Sequence, residues 1–349
     1  MEQRENPALR GKQLIIGADP KGGEGRGVVV TCSYEARKLG ARSGQPISRA
    51  FRLCPDGVYI RPNLGLYAEV SYDVMEFLRK FADKFEQVSI DEAFLDVTQS
   101  CSRYGSPIEL AVQIKTQLKK EHELTCSIGI APNKSAAKIA SDLHKPDGLT
   151  YVDPDRVKEF LAPLPVTKIS GIGKKTEPKL RELGITTIGD LAGCSARDLY
   201  ERFGKSAVWL WAIANAEERV EVQDSYVMKS IGAEYTFETD MDDWSAVDKQ
   251  LLSLIDSVHK RLLEEGKAYR TVTLKIRFTG FETYTRAKTI RHPAKDRGIA
   301  TRIITELSEE FRKRDRKVRL VGVRLSGLEG PSVGKAIPRT LDAFAADDS

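Results

Sequence analysis

Gln87-Val88-Ser89-Ile90-Asp91-Glu92-Ala93-Phe94-Leu95-Asp96-Val97 sets two adjacent carboxylates, Asp91 and Glu92, inside an otherwise apolar stretch. On an unbroken strand, neighbours point to opposite faces, so one of the two acids would face a core. Burying an unpaired carboxylate is expensive. A tight turn or hairpin that presents both acids to one cleft avoids that cost, and a bound cation would neutralise them. Magnesium is the natural cation, since it takes hard oxygen ligands and is usually held by one or two carboxylates plus substrate phosphates. Two such ions clamp the attacking and leaving oxygens in phosphoryl transfer. The same residues taken alone also read as a surface hairpin with two solvated acids.

Outward from this stretch, strands alternate with helices. Residues 13–19 and 27–33 read as strands around a Gly-rich turn at 21–27, and 34–39 and 46–53 as short helices. Residues 66–85 carry apolar side chains at helical spacing, among them Val70, Val74, Phe77, Leu78 and Phe81. A second amphipathic helix is expected over 108–123, a strand over 124–130, and a helix over 133–143 ended by Pro146 and Gly148. A short strand follows at 149–152. Interleaved elements without an internal repeat indicate an α/β or α+β domain. Residues 167–211 look all-helical, and 217–226 are polar and unpatterned, as in a linker. The last region orders its elements β-α-β-β-α-β: strands at 230–237, 270–278, 284–290 and 318–325, and helices at 243–265 and 296–314. That is the split βαβ motif.

A chain of 349 residues suits two to three domains. The net charge of +5 permits a polyanionic partner without requiring one. Cys32, Cys54, Cys101, Cys126 and Cys194 include no CxxC pair, which argues against zinc and for free thiols. No apolar run reaches the ~18 residues of a membrane span, and the polar N-terminus lacks a signal-peptide core. A soluble, cytoplasmic protein with no membrane partner is expected.

Two further segments suit phosphate. Thr31 to Lys38 follows an apolar strand and opens a helix, where hydroxyls and amides favour anions. Arg37 can fork onto phosphate oxygens and Tyr34 can donate its hydroxyl. The alternative is an ordinary capped helix. Lys145, in His144-Lys145-Pro146-Asp147-Gly148, sits at a helix end where the dipole favours a cation in any case. The functional reading is a lysine reaching a triphosphate.

SIDEAFLDV, SYEARKLG and IGIAPNKSAAKIASDLHKPDG occur together and in one order. In this the chain resembles the Y-family DNA polymerases, and most nearly the DNA polymerase IV type and its archaeal relatives, over nearly its whole length. The resemblance implies an α+β multidomain fold: a palm, fingers and thumb core plus a split-βαβ little-finger domain. The implied segments are a remnant of the palm's N-terminal helix at 1–10, fingers at 11–65, palm at 66–165, and thumb with linker at 166–229. A little finger at 230–329 and a flexible tail at 330–349 complete them. It implies that Asp91 and Glu92 are metal ligands, with Glu92 in the position usually treated as the active-site residue. Ser89 and Ala93 belong to the same signature. Thr31, Tyr34, Arg37 and Lys145 would hold the deoxynucleoside triphosphate. Two Mg2+ ions, primer–template DNA, a monomeric state and low-fidelity translesion synthesis complete the expectation. The family opens with a strand bearing another aspartate and then a bulky aromatic steric gate. Neither stands in this sequence, so a mis-assigned start is favoured over a true truncation that would impair activity. The rival readings are a non-catalytic DNA-binding remnant and a different nucleotidyltransferase or cyclase on a related palm.

The DNA-holding parts have their own signals. Gly171, Gly173, Lys174 and Lys175 precede a short helix, and Gly184 to Thr187 leads into another, as in a helix-hairpin-helix. Its glycines let backbone amides approach a phosphate. Positive charge concentrates between 267 and 324, with 17 Lys or Arg against 6 Asp or Glu. Lys275, Arg277, Arg286, Lys288 and Arg291 are mostly alternate within their strands, which puts several on one face for tracking a duplex backbone. Residues 312–317 read as a solvated helix end. Residues 337–344 resemble a sliding-clamp-binding peptide through Thr340, Leu341 and Phe344, without the usual glutamine and second aromatic; a disordered tail is the other reading.

Overall fold

The computed structural model describes residues 1–224 and 227–330. Two compact units divide the chain, one made of residues 1–69 with the C-terminal part from 225, the other of residues 70–224.

The first unit begins with α1 (Glu2–Glu5), then β1 (Leu14–Gly17), β2 (Val29–Cys32), α2 (Tyr34–Lys38), α3 (Ile47–Leu53) and β3 (Val58–Ile60). The strands form one sheet in the order β2-β1-β3, with β1 antiparallel to β2 and parallel to β3. Ile15, Val29, Ala36, Ile47 and Ala50 are buried together between this sheet and its helices. At Gly17 an added Cβ would stand 2.5 Å from the Val28 carbonyl, so only glycine lets β1 and β2 approach there.

The helix α4 (Leu64–Arg79) leads into the second unit. The helical spacing over 66–85 overshoots: the helix stops at Arg79, and Phe85 lies in strand β4 (Lys84–Gln87). Phe81 and Phe85 keep the apolar rhythm because both are buried from a turn and a strand. Asp83 marks the break, since its backbone N–H bonds to Asp96 O and its carboxylate accepts from the N–H groups of Gln99 and Ser100. β4 pairs antiparallel with β5 (Ala93–Asp96). Next come α5 (Pro107–His122), β6 (Ile128–Ile130), α6 (Lys134–Leu143) and β7 (Leu149–Tyr151), with β6 parallel to β7. The strand expected over 124–130 shrinks to its last three residues. Five short helices complete the unit: α7 (Val157–Leu161), α8 (Glu177–Arg181), α9 (Ile188–Ala192), α10 (Ala196–Phe203) and α11 (Lys205–Ala214). They share a core around Leu161, Leu180, Ile188 and Leu191 that also takes in Ile139 of α6.

The segment after α11 is less free than its composition suggested. Glu218 accepts from Ser135 N and Oγ, each at 2.9 Å, and Glu221 pairs with Lys84 at 2.8 Å. Asp224 accepts from Phe85 N at 2.6 Å, and Gln223 N donates to Glu86 at 2.9 Å. Residues 218–224 are thus strapped along the start of α6 and along β4 by side-chain hydrogen bonds that no hydrophobic pattern announces.

The C-terminal part of the first unit holds β8 (Ser230–Met241), α12 (Trp244–Glu264), β9 (Tyr269–Phe278), β10 (Thr283–Ala294), α13 (Arg297–Arg312) and β11 (Val318–Ser326). The β-α-β-β-α-β order is as expected, and the four strands form an antiparallel sheet in the order β10-β9-β11-β8. Alternate residues of β9 (Val272, Leu274, Ile276, Phe278) are buried against α12 and α13 with Val258, Ile304 and Phe311. Each such side chain contributes about 1.5–3 kcal/mol by leaving water. Arg26, from the loop between β1 and β2, donates to Phe237 O at 3.1 Å and to Asp240 at 2.6 Å, tying this part to the N-terminal sheet. All five cysteines are free.

Candidate active site and nucleic-acid interface

Asp91 and Glu92 fall in the turn between β4 and β5, the hairpin geometry that their adjacency required. Val88 N and Ser89 N both donate to the Glu92 carbonyl, at 3.0 and 3.2 Å, and close the turn. Ser89 Oγ donates to Asp91 Oδ1 at 2.6 Å and accepts from Asp91 N at 3.3 Å, which orients the carboxylate. The Ser71 hydroxyl donates to Ile90 O at 2.6 Å and pins the turn to α4. Asp91 is exposed and Glu92 half-exposed, so neither carries the burial cost of a strand position. Among the described residues no group of three or more His, Cys, Asp or Glu side chains gathers into a metal cluster.

Glu92 is held by Lys138 of α6, which donates to its Oε1. Sequence reading passed over Lys138. The available signal was spacing: Lys138, Asp142 and Lys145 follow one another at four and three residues, close to one helical face. Lys138 also lies 3.7 Å from Asp142, and Asp142 pairs with Lys145 at 2.6 Å. Glu92 and Lys145 therefore belong to one ladder of alternating charge. The loop carrying Lys145 is anchored from below: Lys115 donates to Cys126 O at 2.6 Å and pairs with Asp147, and Gly148 N donates to Ser127 Oγ at 3.0 Å. A Cβ at Gly148 would meet His144 O at 2.5 Å. Another at Gly129 of β6 would meet Ala137 O at 2.1 Å, so α6 lies directly on a glycine backbone.

Thr31, Tyr34 and Arg37 lie in the first unit, Asp91, Glu92 and Lys145 in the second. Thr31 is exposed at the end of β2. Ser33 caps α2 by accepting from Ala36 N, as the ordinary reading of a capped helix expects. Arg37 donates through Nε to Cys32 O at 3.2 Å, and its guanidinium stands 5.9 Å from the centre of the Tyr34 ring. Tyr34 keeps 43% of its surface in water. The exposed phenol and the half-buried guanidinium thus form one polar corner.

In the helical hairpin, Gly171 adopts φ +92 and Gly184 φ +75, and no atom lies within 4 Å of a Cβ at Gly173. Lys174 and Lys175 are exposed before α8. Thr187 caps α9 in a reciprocal box with Asp190. The N–H groups of Thr187 and Thr186 donate to Asp190 and hold its carboxyl down at about 2.

The basic residues of the sheet divide between its two faces. Directly opposed residues of an antiparallel pair share a face. Arg286 and Lys288 oppose Leu274 and Val272, so they lie on the helix-covered face, at the sheet's β10 edge. There Arg286 pairs with Glu310 at 2.6 Å and Lys288 with Glu306 at 2.6 Å, both on α13. The Arg286 hydrogen bonds hold the Glu310 carboxyl below its usual range. Lys275 and Arg277 occupy the open face. Lys275 pairs with Glu234 at 2.7 Å, and Arg277 donates to Thr283 at 2.8 Å. Arg291 follows β10's register shift, and its carbonyl accepts from Arg270. Exposed Arg324, which opposes Thr273 from β11, joins the open face and was missed. Residues 312–317 are not simply solvated: Arg312 pairs with Asp248 at 2.7 Å, Arg314 lies 4.1 Å from the Tyr284 ring centre, and Arg316 pairs with Glu282. Thr340, Leu341 and Phe344 lie outside the described residues.

Residues 1–142 match the impB/mucB/samB family, residues 228–336 that family's C-terminal domain, and residues 154–185 the IMS family HHH motif. DNA polymerase IV of Methanoculleus marisnigri is 48% identical over 344 residues, covering 99% of this chain and 94% of the relative. Among solved structures, a Y-family DNA polymerase chimera of Dbh and Dpo4 aligns with a TM-score of 0.84 at 31% identity, over 94% of this chain and 95% of the other. The insertion ternary complex of Dbh DNA polymerase aligns with a TM-score of 0.65 at 31% identity, over 93% and 94%. By its N-terminal, helix-hairpin-helix and C-terminal segments alike, the chain belongs to the Y-family DNA polymerases, in the DNA polymerase IV group.

Proposed function

We propose that Asp91 and Glu92 form the catalytic carboxylate pair of this polymerase, with Lys145, Arg37, Tyr34 and Thr31 binding the incoming nucleotide. As a family member of the DNA polymerase IV group, the chain is a DNA-directed DNA polymerase of translesion synthesis. The observation that carries the residue assignment is the β4–β5 turn. It holds two adjacent carboxylates outward, one oriented by Ser89 and the other already neutralised by an ammonium group.

The acid pair fits Mg2+. Both side chains offer hard oxygens, and the ion pair of Glu92 with Lys138 is consistent with a carboxylate that takes a positive charge. Two carboxylates completed by phosphate oxygens and water are an ordinary Mg2+ shell. Bound Mg2+, two ions in this reading, would neutralise the triphosphate and favour ionisation of the primer 3′-hydroxyl. The chain's own residues do the rest. Asp91 and Glu92 fix where positive charge is held, and the Ser89 hydroxyl keeps Asp91 from turning away. Lys145 and Arg37 bind phosphate oxygens, and the Tyr34 and Thr31 hydroxyls add neutral donors. The primer–template duplex is held by the amides and lysines at 171–175 and by Arg277 and Arg324 of the open sheet face, with Lys275 joining them once it leaves Glu234. These contacts go to the backbone and carry no sequence information. Arg286 and Lys288, bound to α13, add mainly long-range potential. A clamp contact through Thr340, Leu341 and Phe344 remains part of the proposal.

Primer extension opposite an undamaged and an abasic template, with DNA binding followed in parallel by fluorescence anisotropy, tests this reading. The wild-type chain should extend both, and Asp91→Ala should extend neither while binding DNA as before. Equal extension by the two proteins would remove Asp91 from the reaction.

A further inference from the structure

Lys138 is placed to do more than pack. Its ammonium caps Glu92, its second carboxylate neighbour is Asp142 at 3.7 Å, and Asp142 holds Lys145 at 2.6 Å. All three side chains come from α6 or its C-terminal turn, and α6 cannot shift toward β6 because Ala137 O already abuts Gly129. With that approach closed, side-chain movement redistributes charge along the ladder.

We propose that Lys138 is a positioning residue: it holds the place of the metal ion on Glu92 and transmits the ion's arrival to Lys145 through Asp142. The inference rests on the reading of Glu92 as a metal ligand. A divalent cation at Glu92 brings two positive charges against an ammonium already there. Like charges repel, and Lys138 has a carboxylate within one small rotation, Asp142. Once Lys138 moves to Asp142, that acid is shared between two lysines and holds Lys145 less tightly. Lys145 then turns toward an anion, which is the triphosphate. Metal binding and nucleotide binding are coupled in this way, and by linkage the coupling runs in both directions. The ladder also sets an ammonium on Glu92, one of the two acids of the turn, which limits repulsion between Asp91 and Glu92.

The test uses Mn2+ as the probe ion, with the full chain and no primer. Free Mn2+ is measured by electron paramagnetic resonance for wild type, Lys138→Met, Lys138→Arg, Asp142→Asn and Glu92→Gln, with circular dichroism as the check on folding. Lys138→Met keeps the aliphatic stem and removes the competing charge, so it should bind Mn2+ several-fold more tightly than wild type, and Lys138→Arg should restore the wild-type value. Binding of a fluorescent deoxynucleoside triphosphate is then titrated with and without Mn2+. Asp142→Asn should raise the affinity measured without Mn2+ and shrink the enhancement that Mn2+ gives. Unchanged or weaker Mn2+ binding in a folded Lys138→Met overturns the placeholder role while leaving Glu92 as a ligand. Mn2+ binding that Glu92→Gln does not weaken overturns both the ladder and the metal reading. A folded Asp142→Asn that keeps the wild-type enhancement overturns the coupling to Lys145.

Discussion

Replacing Lys145 by alanine should raise the KM for the incoming nucleotide roughly 10–100-fold, because a hydrogen bond to a charged group contributes about 1.5–3 kcal/mol. Steady-state incorporation at saturating primer–template measures it, and an unchanged KM would remove Lys145 from the nucleotide site. At this scale the sequence was readable where a residue type conflicts with its surroundings. Two acids amid Val88, Ile90, Phe94 and Leu95 demand a turn, and the structure supplies one. Lys138 escaped notice because lysine on a helix is unremarkable until its partner across the fold, Glu92, is known. Glu218, Glu221 and Asp224 escaped for the same reason: a polar segment and a docked acidic strap have one composition, and only the positions of Ser135, Lys84 and Phe85 distinguish them.

Single elements carry two further predictions. Gly129→Ala drives a methyl group into the backbone of α6 and should destabilise the second unit by about 1–3 kcal/mol, the usual cost of overpacking. Urea denaturation reads this as a lowered midpoint. Thr187→Ala removes the α9 cap and should cost about 1 kcal/mol. Its partner Asp190 has a carboxyl held down at about 2 from an ordinary 3.8. A depressed folded value means that the stabilisation is complete above the ordinary carboxylate range and disappears as the pH falls toward about 2. Amide protection in α9, taken relative to the intrinsic exchange rate at each pH, should therefore fall across that window in wild type and stay level in Asp190→Asn. Elements with a clean period were legible, such as β9 and α12, where alternation and helical spacing coincide with burial. The helical spacing over 66–85 runs past the helix itself because Phe81 and Phe85 continue its rhythm from a turn and the next strand. The sheet face of Arg286 and Lys288 could not be read from alternation alone: a period of two gives two faces but does not say which one the helices cover.

For the molecule as a whole, the division of the basic residues predicts an asymmetric salt response. Removing Arg277 or Arg324 from the open face should lower the slope of log affinity against log salt by about 1 each, the mark of one lost phosphate contact. Removing Lys288, bound to Glu306, should change it little. Anisotropy titrations over a range of salt test this, and equal effects would mean that the β10 edge also meets DNA. The buried residues of the β-α-β-β-α-β core run from Ile231 to Leu325, with Met228 and Leu328 packed against them, so among the described residues this core draws on one continuous segment. Two ligands of one charge centre act as a unit, and losses at such pairs are grossly non-additive. Single-turnover incorporation of one nucleotide should therefore fall to background in Asp91→Asn and in Glu92→Gln, and the double variant should be no slower than either, while all three bind primer–template normally. Incorporation at the wild-type rate by either single variant would contradict the assignment.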